Sequence, residues 1–249
     1  MRYVKHLSAA LIALGLSAPI LANNNNTVVI PSQHGGFKVG IDSLYLRNNA
    51  ITNFSDTSYD LGLYGQVGYL FQGTGNDLTA AYTYLRADNN DSMNIDMVDL
   101  EAGQRLVAGS LDMRLFGGLR YSHVNYSFDN NVDAISSKFH GMGPRFGTDV
   151  HYHLSNEFGL ATHISSALIA GTFTTKYNGE KKNISESMNG IVPNVGAKLG
   201  VDYTYTVAND SKSLVVFEAG YQVDHNFKVL DNCVDASFNG PYIDVKYYA

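Results

Sequence analysis

The chain has 249 residues, with 17 Lys and Arg, 23 Asp and Glu, and a formal net charge of −6 at pH 7. A chain this acidic lacks the basic face that nucleic acids require, so nucleic-acid binding is excluded as a function class. Its single cysteine, Cys233, cannot form a disulfide within the chain or build a cysteine metal cluster, and we expect neither a metal nor a cofactor.

The first 22 residues have the pattern of a secretory signal peptide. Two basic residues lie near the start, and residues 7–21 form an apolar run that is short for a spanning helix. We predict cleavage after Ala22, a flexible polar leader over residues 23–36 and one domain over residues 37–249, with a retained membrane anchor as the alternative. Cleavage leaves 15 basic residues against 23 acidic ones, or a charge of −8.

Residues 99–121 show the pattern that organises the rest of the chain. On each side of a turn at residues 109–110, apolar and charged side chains alternate with a period of two. Because successive side chains of a strand point to opposite faces, this segment is predicted to be a β-hairpin with one apolar and one charged face. After the signal peptide no apolar run reaches the length of a spanning helix.

The same alternation recurs along the chain and predicts ten strands. They lie at about residues 37–46, 59–71, 77–84, 99–108, 111–121, 139–154, 158–174, 194–205, 215–224 and 239–249. The predicted long loops are residues 47–58, 86–94, 127–138, 176–190 and 227–237, and the short turns are residues 72–76, 109–110, 155–157 and 208–212. Long extracellular loops and short periplasmic turns are typical of outer-membrane barrels. We therefore predict an all-β, antiparallel up-and-down transmembrane barrel of about ten strands, with eight or twelve as the alternatives.

Charged side chains of the predicted strands share the face opposite the apolar one, and in a membrane barrel that face lines the lumen. The predicted lumen residues are Lys38, Asp42, Asp99, Glu101, Arg105, Asp112, Arg114, Arg120, Arg145, Asp149, Lys198, Asp202, Glu218, Asp244 and Lys246. Since both signs are interleaved, these groups either pair with one another in a filled barrel or line a path for hydrated solutes. A ten-stranded barrel is narrow, and its width leaves both interpretations open.

Aromatic residues lie near strand ends on the predicted apolar face. They are Tyr69, Phe71, Tyr82, Tyr84, Tyr152, Tyr203, Tyr205 and Tyr247, and they predict aromatic girdles at the membrane interfaces. A soluble β-sandwich would show the same alternation, with the apolar face as its core. The aromatic residues, the length of several strands and the export signal favour the membrane barrel.

Several segments resemble the Legionella major outer-membrane-protein family. They are VDLEAGQRL at residues 98–106, FGGLRYSHV at 116–124, FHGMGPRFGTDVHYHL at 139–154, GFKVGIDSLYL at 36–46 and NGPYIDVKYY at 239–248. The resemblance implies a pore-forming protein of the bacterial outer membrane, with membrane lipid or lipopolysaccharide and the barrel-assembly machinery as partners. A host-surface ligand and a homo-oligomer, for which Cys233 would supply an interchain disulfide, stay open as further partners.

Two functions follow from these patterns. The first is porin-like passage of small hydrophilic solutes through a narrow charged lumen. The alternative is a plugged barrel that acts as a surface structural protein or adhesin through its extracellular loops.

An enzyme is not expected from the sequence. Asp149 and His151 share a face, like the carboxylate and imidazole of the ten-stranded omptin proteases, but they precede a short turn at the periplasmic end. His163 and Ser165 share a face without a third partner. Residues 88–91 lack the glycine and the terminal glutamate of a calcium loop.

Overall fold

The computed structural model describes residues 35–48, 59–88, 91–129, 133–179, 182–207, 213–230 and 234–249. The predicted signal peptide, nearly all of the predicted leader, most of the predicted loop 47–58 and Cys233 lie outside these ranges. The strands are β1 (Gly36–Asn48), β2 (Tyr59–Leu70), β3 (Asn76–Asp88), β4 (Asp91–Ala108), β5 (Leu111–Asp129), β6 (Asp133–His153), β7 (Phe158–Gly179), β8 (Lys182–Thr206), β9 (Leu214–Leu230) and β10 (Val234–Tyr248). No helix in the described ranges is long and apolar enough to cross a membrane.

The ten strands form one closed barrel in which each strand pairs with its neighbours along the chain and β1 closes on β10. All ten pairings are antiparallel, and the closing pair runs from Lys38 opposite Tyr248 to Asn48 opposite Phe238. In a closed barrel, the backbone N–H and C=O groups of each strand hydrogen-bond to the neighbouring strands, which is necessary because lipid offers them no partners. The predicted all-β, ten-stranded up-and-down barrel is confirmed, and the alternatives of eight and twelve strands are wrong.

The two ends of the barrel differ. Turns at residues 71–75, 109–110 and 154–157 lie at the end where β1 begins and β10 finishes, which we call the turn end. At this end Gly73, Gly75 and Gly109 have φ of 69°, 71° and 60°, a conformation that glycine adopts without the strain of a Cβ atom. The opposite end, where β3 meets β4, β5 meets β6 and β7 meets β8, is the loop end.

Most of the predicted long loops are wrong, because paired strands continue through them. β5 and β6 pair up to Asp129 opposite Ala134, and β7 and β8 pair up to Gly179 opposite Lys182. Residues 86–94 and 227–237 likewise belong mainly to strands. Residues 127–138 and 176–190 carry polar side chains on both faces, so the apolar alternation that marks a lipid-facing strand is missing from them.

Side chains on the outer surface are mainly apolar from the turn end to well along each strand. Leu199 exposes 63% of its surface on this side, whereas Asp202, facing inward on the same strand, exposes 2%. Toward the loop end the apolar belt gives way to polar outward residues. They are Arg47, Arg86, Asp96, His123, His140, Thr172, Asn189, His225 and Asn239. Such a belt matches the lipid-facing band of an outer-membrane barrel, about 25 Å tall.

Candidate functional site

All fifteen predicted lumen residues lie on the inward face of the barrel wall. Eleven of them are buried, and the other four, Arg105, Asp149, Lys198 and Lys246, are half-buried. Their ionic groups form two networks on opposite parts of the wall, one on β3–β7 and one on β1 and β8–β10. We call these the arginine network and the lysine network.

Arg114 is the centre of the arginine network. Its Nε and Nη2 atoms donate to the two oxygens of Asp77 at 2.8 Å each, and Nη1 and Nη2 reach Glu101 Oε2 at 3.1 and 3.2 Å. Nη1 also donates to Asp149 at 3.0 Å. Asp77 is missing from the predicted lumen residues, although its place on the polar face of its strand is the same signal that identified the others.

Two further arginines extend this network toward the loop end. Arg120 holds Asp99 with two hydrogen bonds of 2.7 Å and donates to the side-chain oxygen of Asn194 at 2.6 Å. Arg145 lies 3.1 Å from Asp99 and donates to Glu101 at 3.0 Å. Each guanidinium thus has carboxylate partners, as buried charges need in a low-dielectric interior.

The acid–base pair suggested by the sequence is not formed. Asp149 lies directly across from His163 on the neighbouring strand and hydrogen-bonds its Nδ1, whereas His151 faces Asp202 at 3.7 Å. The second ring nitrogen of His163 lies 3.5 Å from Arg145. With a carboxylate beside one nitrogen and a guanidinium near the other, this imidazole is part of the arginine network that lines the lumen.

The lysine network lies across the lumen. Lys198 hydrogen-bonds Asp42, and Lys246 lies 3.0 Å from Glu218 and 2.6 Å from Asp244. The Tyr242 hydroxyl also donates to Glu218. Asp42, Asp244, Glu218 and Asp202 occupy facing positions on four successive strands, so one wall carries a continuous row of carboxylates.

A small chamber separates the two networks. It is a cavity of about 130 Å³ lined by Lys38, Glu101, Arg114, His163, Lys198 and Lys246 among others. A cavity of this volume is large enough for several water molecules.

Apolar side chains fill the loop-end half of the lumen and form what we call the apolar plug. Its buried members are Leu44, Leu46, Leu85, Met93, Ile95, Met97, Val124, Phe139, Ala167, Ile169, Phe173, Val192, Val229, Ala236, Phe238 and Tyr242. Phe139 and Phe173 expose 1% each, and their ring centroids are 4.7 Å apart. The sequence predicts a lumen lined by charged side chains, and toward the loop end the same face is apolar.

The tip of the β9–β10 hairpin supplies part of the plug. Pairing between β8 and β9 ends at Asn194 opposite Asn226, although β8 itself continues to Lys182. Just beyond, Lys228 has a positive φ of 53°, and Val229 is buried in the plug with Ala236 and Phe238 of β10. The described residues 227–230 and 234–238, which we call the β9–β10 tip, therefore extend past the last pair with β8 and contribute apolar side chains to the plug.

All eight predicted girdle residues lie on the outward face, with Tyr84 and Tyr203 half-buried and the others exposed. Aromatic neighbours that are missing from the predicted girdle complete these clusters. Phe37 packs on Tyr69 with centroids 5.2 Å apart, and Tyr45 stacks on Tyr59 at 5.0 Å. Within the described residues, no group of three or more His, Asp, Glu or Cys side chains is placed to hold a metal ion.

A family model described as the Legionella pneumophila major outer membrane protein precursor matches residues 29–249. The chain belongs to this family. Family membership and the closed barrel place the protein in the bacterial outer membrane, as the sequence predicted. None of the curated proteins matches the chain.

Solved outer-membrane barrels are similar in fold. The outer membrane protease OmpT from Escherichia coli is 12% identical, with a TM-score of 0.49 over 86% of this chain and 92% of that one. A major outer membrane protein from Thermus thermophilus is 10% identical, with a TM-score of 0.48 over 86% and 98%. The Pseudomonas putida toluene transporter TodX is 10% identical, with a TM-score of 0.38 over 88% and 92%. At these identities the likeness concerns the fold alone.

Proposed function

We propose that this family member is a gated outer-membrane pore for small hydrophilic solutes, and that the arrangement described above is its closed state. The observation that carries the proposal is the chamber of about 130 Å³ between two ionic networks of opposite walls. Charges of both signs around a hydrated space are how pores replace the water shell of a polar solute.

The apolar plug is the barrier to passage in this proposal. A hydrated solute that enters the chamber meets a dry layer of aliphatic and aromatic side chains before the loop end. The β9–β10 tip is the part best placed to move, because its pairing with β8 has already ended at Asn194 and Asn226. Its withdrawal would remove Val229, Ala236 and Phe238 from the plug.

The first test is Phe139→Ala in planar lipid bilayers. Truncating a buried phenylalanine costs roughly 3–5 kcal/mol of packing, and a loss of about 3 kcal/mol in the closed state alone raises the open-to-closed ratio on the order of 100-fold. We expect rare, small conductance steps from the parent protein and a much larger open fraction from the variant.

Phe146→Ala is the matched control, because Phe146 lies on the same strand but exposes 54% of its surface to the outside of the barrel. This variant is expected to conduct like the parent protein. If the parent and Phe139→Ala are both silent at a protein load that inserts folded barrels, the proposed passage is wrong.

A surface-binding role is the second candidate, favoured by the edge of β8. Residues 182–193 of this strand pair with β7 but have no β9 partner among the described residues, and Ile184, Met188 and Ile191 are exposed there. An unpaired strand edge with exposed apolar side chains is a template for an added strand from another protein.

Replacing residues 176–190 with a two-residue turn tests this role. We expect the variant to assemble as a barrel and to lose attachment to host-cell surfaces, because the free edge is gone. A barrel with residues 127–138 shortened in the same way keeps the β8 edge and serves as control. Equal attachment by both shortened barrels and the parent would remove the basis of this role.

A further inference from the structure

Lys38 is the exception among the lumen cations. It exposes only 7% of its surface, yet no hydrogen bond or salt bridge engages its ammonium group within the described part of the chain. The side chain crosses Gly68 on its way into the lumen: a Cβ atom at Gly68 would lie 3.1 Å from Lys38 Cε. Lys38 lines the chamber, and the carboxylates of Asp77 and Asp149 attract its charge without forming an ion pair with it.

Arg105 lines the same chamber and is only partly satisfied. Its Nε lies 3.4 Å from Asp112, but its Nη1 is buried and has no hydrogen-bond acceptor in the described residues. Lys38 follows the start of β1 and Arg105 precedes the end of β4, so both lie toward the turn end. Gln66 and Tyr248 line the cavity with them, and the Tyr248 hydroxyl accepts a hydrogen bond from Arg105.

Apart from Asp112, the carboxylates near these two cations are held by other side chains. Asp77 is held by Arg114 and Thr79, and Asp149 by Arg114 and His163. Three other carboxylates keep one oxygen without a hydrogen bond, but each lies within 4 Å of its own basic side chain. These pairs are Asp42–Lys198, Asp202–His151 and Asp244–Lys246.

We infer that the turn-end part of the chamber is a binding site for a small oxyanion, a carboxylate or phosphate group, held between Lys38 and Arg105. A charge-assisted hydrogen bond to each cation would satisfy donors that the protein leaves unpaired. The cavity, about 130 Å³ in volume, is large enough to admit such a group. Oxyanion binding does not require passage through the barrel. Only the identification of the oxyanion as the solute that passes rests on the proposed pore.

Equilibrium dialysis of radiolabelled inorganic phosphate against the folded, detergent-solubilised protein tests the site. We expect saturable binding of one phosphate per barrel, displaced by acetate but not by chloride at equal ionic strength. Lys38→Met should weaken binding at least tenfold, and Lys38→Arg should retain it. Lys176→Met, which removes an exposed lysine at the loop end, should bind like the parent.

Three results would refute the proposed binding site. They are the absence of saturable binding, equal displacement by chloride, and parental binding by both Lys38→Met and Arg105→Met. Lys38→Met is expected to fold normally, because it removes a cation that has no partner; Arg105→Met provides an independent variant. Phosphate binding by a protein that is silent in bilayers would refute the pore and leave the site intact. Conductance without phosphate binding would refute the site alone.

Discussion

Replacing Arg114 with methionine is expected to destabilise the folded barrel by about 3–5 kcal/mol, the cost of removing one partner from a buried ionic group. Arg114 exposes 5% of its surface and binds Asp77, Glu101 and Asp149 at 2.8–3.2 Å. Without it, Asp77 loses its guanidinium partner, and the negative charges of Asp77, Glu101 and Asp149 repel one another. The measurement is urea unfolding of the barrel in lipid vesicles, followed by far-ultraviolet circular dichroism.

A second substitution separates charge from packing in this experiment. Asp77→Asn alone removes an ion-pair partner, but in the Arg114→Met background it removes an uncompensated negative charge. The double variant is therefore expected to be more stable than Arg114→Met alone, a coupling that a double-mutant cycle measures. Unfolding of Arg114→Met at the parental urea concentration would show that the network contributes little to the stability of the barrel.

Leu199→Arg is expected to destabilise the membrane-inserted barrel by about 2–4 kcal/mol, the cost of an arginine on the lipid face near the bilayer midplane. Leu199 exposes 63% of its surface on the outside of β8, between Ile191 toward the loop end and Tyr205 toward the turn end. Its side chain therefore contacts hydrocarbon, where a guanidinium loses its hydration. Unfolding from vesicles by guanidinium chloride measures the change.

Ser185→Arg provides the matched control on the same strand. Ser185 is exposed and lies on the outward face of the projecting part of β8, beyond the polar residues that end the apolar belt. Because this position contacts water, the new charge is expected to change the free energy of unfolding by less than about 0.5 kcal/mol. Equal destabilisation by both substitutions would mean that Leu199 does not face lipid.

The barrel wall could be predicted from the sequence because lipid and lumen impose opposite demands on alternate residues. In residues 194–205 the apolar positions must face hydrocarbon, and Lys198 and Asp202 are left for the interior. The same constraint ends where the strand leaves the membrane. Residues 176–190 are solvated on both faces, so nothing in their polarity distinguishes a paired hairpin from a loop.

Contacts between lumen side chains could not be predicted in the same way. That Asp149 meets His163 depends on the register between β6 and β7, and a shift of one residue would place them on different faces. The apolar plug did leave a signal, because Leu44, Leu46 and Val124 share their strand face with charged residues. That signal contradicts a lumen that is ionic along its whole length, but it does not show which side chains meet.

The seam between β1 and β10 affects how this protein can be made. Ala249 donates its backbone N–H to the Phe37 carbonyl oxygen at 2.9 Å, so the cylinder is sealed by two segments about 200 residues apart. Until β10 is in place, β1 lacks one of its partner strands. Its unpaired backbone N–H and C=O groups cannot be accommodated in the hydrocarbon core of the membrane. The barrel therefore cannot close before β10 is delivered, and a chain that lacks β10 would leave the paired edge of β1 open.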